Sequence, residues 1–208
     1  MNFFRENQLL CLLIFLITII SGILNTIYYF EDIDSLRFAT GIKYGFNIAK
    51  MQPHFPGYPV FHFTASLIYY LTNNLGLTFS LIGSLSLFII MITTINIIDS
   101  KSQFNNILIA LIILLNPLLS LMSTRYMPDL FGLAICIMIF YFLIFSKKEN
   151  HKILGFILCG ISIGETSLSN KPFSHAILLL LYDSIAKLSC SSFEIFISSA
   201  HSSPQTPM

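Results

Sequence analysis

The feature that most restricts the fold of this chain is the length of its apolar runs. Leu75–Ile98 carries no charged side chain and exceeds the about 20 residues that a helix needs to cross a bilayer core. Three further apolar runs are Leu9–Tyr29, Ile107–Met122 and Leu130–Phe145. Only 10% of the residues are charged, whereas a soluble domain carries about 25%. The sequence therefore predicts an all-α, polytopic membrane protein in contact with the lipid bilayer.

Positive charge is sparse, and most of it is scattered. The net charge is +1, and the most basic loop is Lys147–Lys152. Because a nucleic-acid-binding surface needs a basic patch or stripe, we expect no nucleic-acid partner. The positive-inside rule predicts that this loop is cytoplasmic, together with the end of the chain that carries Arg5.

Two segments on the same side of a membrane are separated by an even number of crossings. The four long runs satisfy this condition, whereas counting Val60–Leu71 as a further crossing does not. At a rise of 1.5 Å per residue, this short run also falls well below the ~30 Å thickness of a hydrocarbon core. We therefore predict that Val60–Leu71 is interfacial or re-entrant.

The apolar pattern continues toward the C-terminus. Ile153–Ile163 is interpreted as a fifth helix, and the short run Ala176–Leu188 is the candidate for a sixth. The predicted membrane domain covers residues 1–188 and contains about five to six transmembrane helices. Residues 189–208 are rich in Ser and Pro and cannot bury enough apolar surface to fold, so we expect disorder there.

A long polar stretch, Glu31–Pro59, follows the first apolar run and is predicted to be extracytoplasmic. Within it, Asp34–Lys50 has the pattern of an interfacial helix, with apolar residues on one side and mostly basic and amide side chains opposite. Prolines then end this helix. Together with Val60–Leu71, the stretch predicts two interfacial helices in the first extracytoplasmic loop.

The polar stretch carries the candidate catalytic residues. Asp32 and Asp34 follow the exit of the first helix, where a carboxylate is costly unless it is hydrated or paired, and His54 lies in the proline-rich segment. The predicted topology brings Arg125 and Asp129, from the second outer loop, to the same face. Carboxylates beside a histidine and an arginine suit general base catalysis next to an anionic leaving group, such as a lipid-linked phosphate.

Each candidate also has a purely structural interpretation. Arg125 and Asp129 are spaced i,i+4 and can form a clasp on one helix, and His54 can be a packed or capping residue. Tyr58 is a candidate for substrate binding or for an interfacial aromatic belt. Lys171, in the predicted third outer loop, is a candidate for contact with phosphate or with a lipid headgroup.

The sequence leaves the cofactor unknown. Asp32-Ile33-Asp34 has the D-x-D form that can hold a divalent cation against phosphate oxygens, although so short a pattern often arises by chance. There is no GxSxG motif, no glycine-rich phosphate loop and no HExxH motif. The metal interpretation is therefore weaker than the general base interpretation.

Three motifs carry a resemblance to a known family. After a transmembrane helix come the acid-S-x-R-F-A sequence Asp34–Ala39, the Q-P-H-x-P-G-Y-P sequence Gln52–Pro59 and the S-x-R-x-x-x-D sequence Ser123–Asp129. This order resembles the multi-spanning GT-C glycosyltransferases, and within them the bacterial relatives of protein O-mannosyltransferases and aminoarabinose transferases. The resemblance covers roughly Leu9–Phe145.

The resemblance implies a reaction and a set of roles. Such enzymes take a sugar from a polyprenyl phosphate on the outer side of the membrane. Asp34 lies where the family has its first-loop catalytic acid, and Arg125 and Asp129 match a polar motif of its second outer loop. Asp34 would then activate the acceptor, Asp32 would assist or bind a cation, and Arg125 with Lys171 would neutralise the phosphate.

Family members have more helices than this chain and usually a further domain. The alternative is therefore a truncated, non-catalytic membrane protein, or a subunit of a larger membrane assembly, in which the charges only pair. A transporter fits less well, because no acid or base lies in the middle of a secure span to mark a substrate path.

Overall fold

The computed structural model describes residues 7–52, 58–99, 102–145 and 149–166, which form helices joined by short loops and contain no β-strand. The predicted all-α class is confirmed for this part of the chain. A 3-10 turn, Ile48–Lys50, follows the second helix, and a π-helical turn, Tyr141–Phe145, continues the seventh. The α-helices are α1 Gln8–Leu24, α2 Ile33–Tyr44, α3 Pro59–Thr72, α4 Leu75–Ile98, α5 Gln103–Leu114, α6 Pro117–Met122, α7 Asp129–Phe140 and α8 Glu149–Thr166.

Helix α4 is the centre of the bundle. It is apolar around its whole circumference, and α1, α5 and α7 pack against it through buried residues such as Leu87, Met91 and Ile95. Helix α3 packs against its N-terminal part, near Phe79 and Ile82. Within the described ranges, α4 alone is long and apolar enough to cross a membrane, and α1, α5 and α7 with its π turn are shorter apolar helices.

The bundle has two distinct ends. At one end, the side-chain amide of Gln103, at the start of α5, donates a hydrogen bond of 3.0 Å to the side-chain oxygen of Asn7, before α1. At the other end, Gly76 of α4 lies so close to Ile27 that a Cβ atom would come within 2.6 Å of the Ile27 carbonyl oxygen. We call the first the Gln103 end and the second the Arg125 end, because Arg125 lies beside the loop that follows α1.

The outer faces of α1 and α5 are apolar and exposed. Leu12 on α1 is 53% exposed and Phe104 on α5 is 72% exposed, whereas the hydroxyl-bearing residues Thr18, Ser80 and Ser84 are buried inside the bundle. Soluble proteins usually show the reverse arrangement. Apolar surface this extensive marks contact with lipid or with another protein.

Helix α2 is shorter than the predicted helix Asp34–Lys50. It begins after its N-cap Asp32 and ends at Gly45, whose φ of +101° is accessible mainly to glycine. Phe38 and Ile42 are buried, and they contribute to the cluster of side chains between α2 and α3. The apolar face of the predicted helix is therefore confirmed only up to the point where α2 ends.

Helix α3 agrees with the predicted short segment Val60–Leu71. Its 14 residues correspond to a length of about 21 Å, below the ~30 Å of a hydrocarbon core. Pro59 occupies the first turn, where its missing amide hydrogen has no helical partner to lose. The length matches the prediction of a helix too short to cross, and its placement in the membrane interface stays a prediction.

The prediction of one continuous helix over Ile107–Met122 is wrong. Asn116 interrupts it, and its side-chain oxygen accepts hydrogen bonds from the backbone amides of Leu118 and Leu119, at 3.0 and 3.3 Å. Pro117 then starts α6 in a first-turn position that tolerates proline. An N-cap and a proline thus divide the run into α5 and α6.

The last described helix, α8, extends the predicted helix Ile153–Ile163 at both ends. Several predictions fall on parts of the chain beyond the described residues. These are the basic residues Lys147 and Lys148, the candidates His54 and Lys171, the run Ala176–Leu188 and the tail 189–208.

Candidate functional site

Arg125 joins two loops that are distant in the sequence. Its Nε donates a hydrogen bond to the Glu31 carboxylate, and its Nη2 lies 3.3 Å from Oδ2 of Asp32. The Arg125 side chain is 29% exposed, so a ligand at the surface of the bundle can reach it. Arg125 therefore contacts Asp32, one of the acids with which it is predicted to share a face, and Glu31 is a second carboxylate partner.

Tyr126 holds the Arg125 loop against the end of α1. Its hydroxyl donates a hydrogen bond of 2.9 Å to the backbone carbonyl of Ile27, and its ring packs against Phe79 and Phe30, at centroid distances of 4.6 and 5.4 Å. The side chain is almost fully buried, and this desolvation raises the pKa of its hydroxyl. Tyr126 therefore stays a neutral donor that fixes the backbone beside Arg125.

Asp32 is the N-cap of α2. Its Oδ1 accepts a hydrogen bond of 2.7 Å from the backbone amide of Ser35, which is how Asp commonly caps a helix. This bond is the main cause of a lowered pKa for Asp32. Desolvation is the next largest effect and acts in the opposite direction, while the Ser35 side chain and Arg125 lower the pKa further. A carboxylate that is stabilised in its charged form is a weak base, so Asp32 is better suited to hold Arg125 than to accept a proton.

Asp34 lies in the first turn of the same helix, where the helix dipole favours negative charge. Its Oδ1 is 3.2 Å from Nη1 of Arg37, and its side chain is 40% exposed. Ion pairs this exposed contribute little to stability. This partial exposure lets a polar ligand at this end of the bundle reach Asp34.

The other described candidates occupy different positions. Asp129 is exposed in the first turn of α7, and the ion pairs that Arg125 forms with described residues are to Glu31 and Asp32 rather than to Asp129. Tyr58 precedes α3 in a left-handed conformation, and its ring lies 5.6 Å from that of Phe38. Tyr58 therefore packs on α2, while its role in substrate binding stays a prediction.

A buried histidine, His62, also lies at this end but was not among the predicted site residues. It lies 7% exposed on α3, with its ring 5.0 Å from Phe46 and its Nδ1 3.5 Å from the Ser66 hydroxyl. Burial lowers the pKa of its imidazole, so the ring is neutral at pH 7. This position was not evident from the sequence, because His62 falls within an apolar run.

The charges at the Arg125 end set what the site can bind. Two carboxylates face the Arg125 guanidinium, so an anionic ligand has to compete with Glu31 and Asp32 for this cation. Asp34 is directed to Arg37 instead, so the two acids of the D-x-D sequence have different partners. Within the described ranges, no group of three or more His, Cys, Asp or Glu side chains lies close enough to hold a metal ion.

Comparison with known proteins adds no further constraint. The chain matches no family model, no curated protein and no solved structure. Its interpretation therefore depends on the geometry described above.

Proposed function

We propose that this chain is a polytopic membrane protein of about five to six transmembrane helices. The Arg125 end faces the extracytoplasmic side, the Gln103 end faces the cytoplasm, and α2 and α3 lie in the outer interface. The exposed apolar faces of α1 and α5 support contact with lipid. The basic loop Lys147–Lys152 supports the orientation through the positive-inside rule.

The proposed reaction is transfer of a sugar from a polyprenyl phosphate to an extracytoplasmic acceptor, as in the GT-C glycosyltransferases that the motifs resemble. The acceptor oxygen bonds to the anomeric carbon while the bond from that carbon to the phosphate oxygen breaks. Asp34 accepts the proton of the acceptor hydroxyl, and the polyprenyl phosphate leaves as an anion. Arg125 neutralises the charge that develops on that phosphate.

The approach of Arg125 to Asp32 is the observation that supports this proposal most strongly. It brings a cation from the loop before α7 to the loop that follows α1, beside the helix turn that carries Asp34. General base catalysis with an anionic leaving group needs a carboxylate and a cation at one site. The lowered pKa of Asp32 makes that carboxylate a weak base, so the proposal assigns proton acceptance to Asp34, as the resemblance implies.

The remaining candidates have subordinate roles in the proposal. Asp129 and Tyr58 bind the substrate, Lys171 assists Arg125 at the phosphate, and His54 assists the proton transfer. These four assignments come from the sequence motifs and the resemblance. A divalent cation at Asp32 is an optional addition, which metal chelation in the same transfer assay tests.

The first prediction concerns Asp34→Asn in a transfer assay. Membrane abundance and sugar transfer from a polyprenyl phosphate are measured together, with Asp99→Asn as the matched control. Asp99 is a carboxylate at the Gln103 end, in a left-handed position that Asn also tolerates. We expect Asp34→Asn to lower transfer about 10²- to 10⁴-fold, and the cost in stability to be only about 0.5 kcal/mol.

If Asp34→Asn and Asp99→Asn transfer sugar equally well, the base is not Asp34. The second candidate function is a non-catalytic membrane protein or a subunit of a larger membrane assembly. The ion pairs of Arg125 with Glu31 and Asp32 favour it, because they already satisfy the charges without a ligand. In that case the unaltered chain transfers no sugar, and Arg125→Ala changes abundance alone.

A further inference from the structure

A cavity of about 140 Å³ lies between α4 and the C-terminal part of α7, outside the charged site. On α4 its wall extends from Phe88 to Asn96, a rise of about 12 Å along the helix. The facing wall includes Met138 and the first two residues of the π-helical turn, Tyr141 and Phe142. The cavity therefore belongs to the half of the bundle that is closer to the Gln103 end.

The lining is almost entirely apolar along this length, and its few polar groups lie toward one end. Phe88, Ile89 and Ile92 form the part closer to the middle of α4, and Thr93 and Asn96 follow toward the Gln103 end. The side-chain amide of Asn96 donates a hydrogen bond of 2.7 Å to the Ile92 carbonyl, which leaves its side-chain oxygen as an acceptor. The lining contains no charged side chain.

The facing wall is built by an irregular helix turn. The π-helical turn begins at Tyr141, and the consecutive residues Tyr141 and Phe142 both line the cavity, with ring centroids 5.4 Å apart. Such turns are rare in proteins and occur frequently at functional sites. The aromatic wall of the cavity is therefore formed where α7 departs from regular α-helical geometry.

We propose that this cavity binds the hydrocarbon chain of a single-chain amphiphile whose uncharged head carries a hydroxyl group. Its volume is close to the ~150 Å³ of an apolar protein cavity that stays dry and holds a benzene molecule, so it fits a segment of hydrocarbon chain. The chain lies toward Phe88, and the head donates a hydrogen bond to Asn96. An uncharged head fits because no charged side chain is present to pair with an ionic one.

This inference rests on the proposed membrane location of the bundle and is independent of the proposed transfer reaction. The chain contains no Trp, so a single Trp reports on one position without background. The Phe88→Trp protein is placed in phosphatidylcholine nanodiscs, and a monoacylglycerol with a brominated chain, which quenches Trp fluorescence, is added in increasing mole fraction. Leu12→Trp, on the exposed face of α1, is the matched control for ordinary lipid contact.

We expect quenching of the Phe88→Trp protein to saturate at a low mole fraction of brominated monoacylglycerol, whereas quenching of the Leu12→Trp protein rises in proportion to it. Ile89→Phe, which fills the cavity, removes the saturating part. Asn96→Leu weakens the apparent affinity for the brominated monoacylglycerol about three- to tenfold, which is the effect of one lost hydrogen bond. The same variant leaves the affinity for a brominated alkane unchanged, because an alkane has no head to bind. This second variant separates a head-binding role from a general effect on folding.

Three outcomes would overturn the inference. Proportional quenching of the Phe88→Trp protein would mean that this position contacts only bulk lipid. An absence of quenching, with normal quenching of the Leu12→Trp protein, would mean that protein covers the cavity. Equal weakening of monoacylglycerol and alkane binding by Asn96→Leu would mean that Asn96 does not recognise the head. If the Leu12→Trp protein were itself not quenched, the membrane location would be wrong instead.

Discussion

The two carboxylates at the start of α2 differ in what they can do, although only one residue separates them. Asp32 binds the amide of Ser35 and Arg125, whereas Asp34 lies against the partly exposed guanidinium of Arg37. One is therefore a structural anion that positions a cation, and the other is accessible to a ligand. The D-x-D spacing alone cannot distinguish these roles, because it does not show where the helix begins.

The second prediction is that Asp32 contributes stability that depends on pH. Its pKa is lower in the folded chain than the ordinary value of 3.8, so its contribution is present above that value and is lost as the pH falls through the lower, folded value. Asp32→Asn keeps a good N-cap but removes the charge, and Asp32→Ala removes both. We expect the loss of the cap in Asp32→Ala to cost about 1 kcal/mol at pH 7.

Thermal unfolding in detergent, followed by circular dichroism between pH 7 and pH 3, tests this prediction. Asp32→Asn should show a flatter loss of stability below about pH 4 than the unaltered chain. At pH 7, it should be more stable than Asp32→Ala. Equal stability of the two variants at pH 7 would contradict the capping role, and equal acid slopes of Asp32→Asn and the unaltered chain would contradict the lowered pKa.

Part of the candidate site was predictable from the sequence. Crossing parity places the loop of Arg125 on the same side as Asp32, and the structure brings the two side chains to 3.3 Å. The hydrogen bond from Tyr126 to Ile27 was not predictable, because it depends on the path of two loops. The lowered pKa of Asp32 was not predictable either, because its main cause is the hydrogen bond from the Ser35 amide, and the sequence does not show that α2 begins there.

At the level of helices, α4 was the easiest element to predict and α5 with α6 the hardest. The bounds Leu75–Ile98 follow directly from the apolar run, which Asn74 caps. The run Ile107–Met122 was predicted as one helix because its residues are mostly apolar. It is divided at Asn116-Pro117, although both residues are typical of a helix start. Hydrophobicity averaged over a long window does not detect a single capping residue followed by proline, so such residues have to be considered together with the apolar pattern.

Gly83 on α4 controls how closely the Arg125 loop approaches the bundle. A Cβ atom at Gly83 would overlap the backbone carbonyl of Ser123, two residues before Arg125. At Gly22, the nearest atom is the hydroxyl oxygen of Ser84, a side-chain atom that can rotate away. At Gly132 on α7, a Cβ atom meets nothing within 4 Å. Alanine at these three positions therefore distinguishes the cost of a backbone clash from the gain in helix propensity.

The third prediction compares alanine at these glycines. Gly83→Ala should destabilise the bundle by about 1–3 kcal/mol, because backbone has to move, and Gly22→Ala should cost less. Gly132→Ala should be neutral or stabilising by up to about 1 kcal/mol, because alanine is the better helix former. Unfolding is measured in detergent for all three. If Gly83→Ala behaves like Gly132→Ala, close approach of the Ser123 backbone to α4 is not required.

At the scale of the whole molecule, large apolar side chains cover much of the outside as well as filling the core, unlike in a typical soluble bundle. Leucine and phenylalanine cover the outside of α1 and α5, while serine and threonine hydroxyls lie within the bundle, around α4. Small residues at the helix contacts are typical of membrane bundles, where close approach replaces a hydrophobic driving force. The described helices also begin and end at two opposite ends of the bundle, so labelling of these two ends is a direct test of the predicted topology.

The fourth prediction is that the Arg125 end and the Gln103 end lie on opposite sides of the membrane. Single cysteines are placed at Lys50 and Asp129, which are exposed near the Arg125 end, and at Ser102, at the Gln103 end, after the native cysteines are replaced by alanine. Intact cells are treated with a membrane-impermeant thiol reagent. We expect Lys50→Cys and Asp129→Cys to react in intact cells, and Ser102→Cys to react only after lysis.

The pattern of labelling also decides the placement of α3. If α3 crossed the membrane, the N-terminal side of α4 would be cytoplasmic, so Lys50→Cys and Ser102→Cys would react together and Asp129→Cys would be protected. That result would contradict the contact between Arg125 and Asp32, because loops on opposite sides of a bilayer cannot form an ion pair. The short length of α3 and this ion pair both predict that Lys50 and Asp129 lie on one side of the membrane, so one labelling experiment tests the topology and the candidate site together.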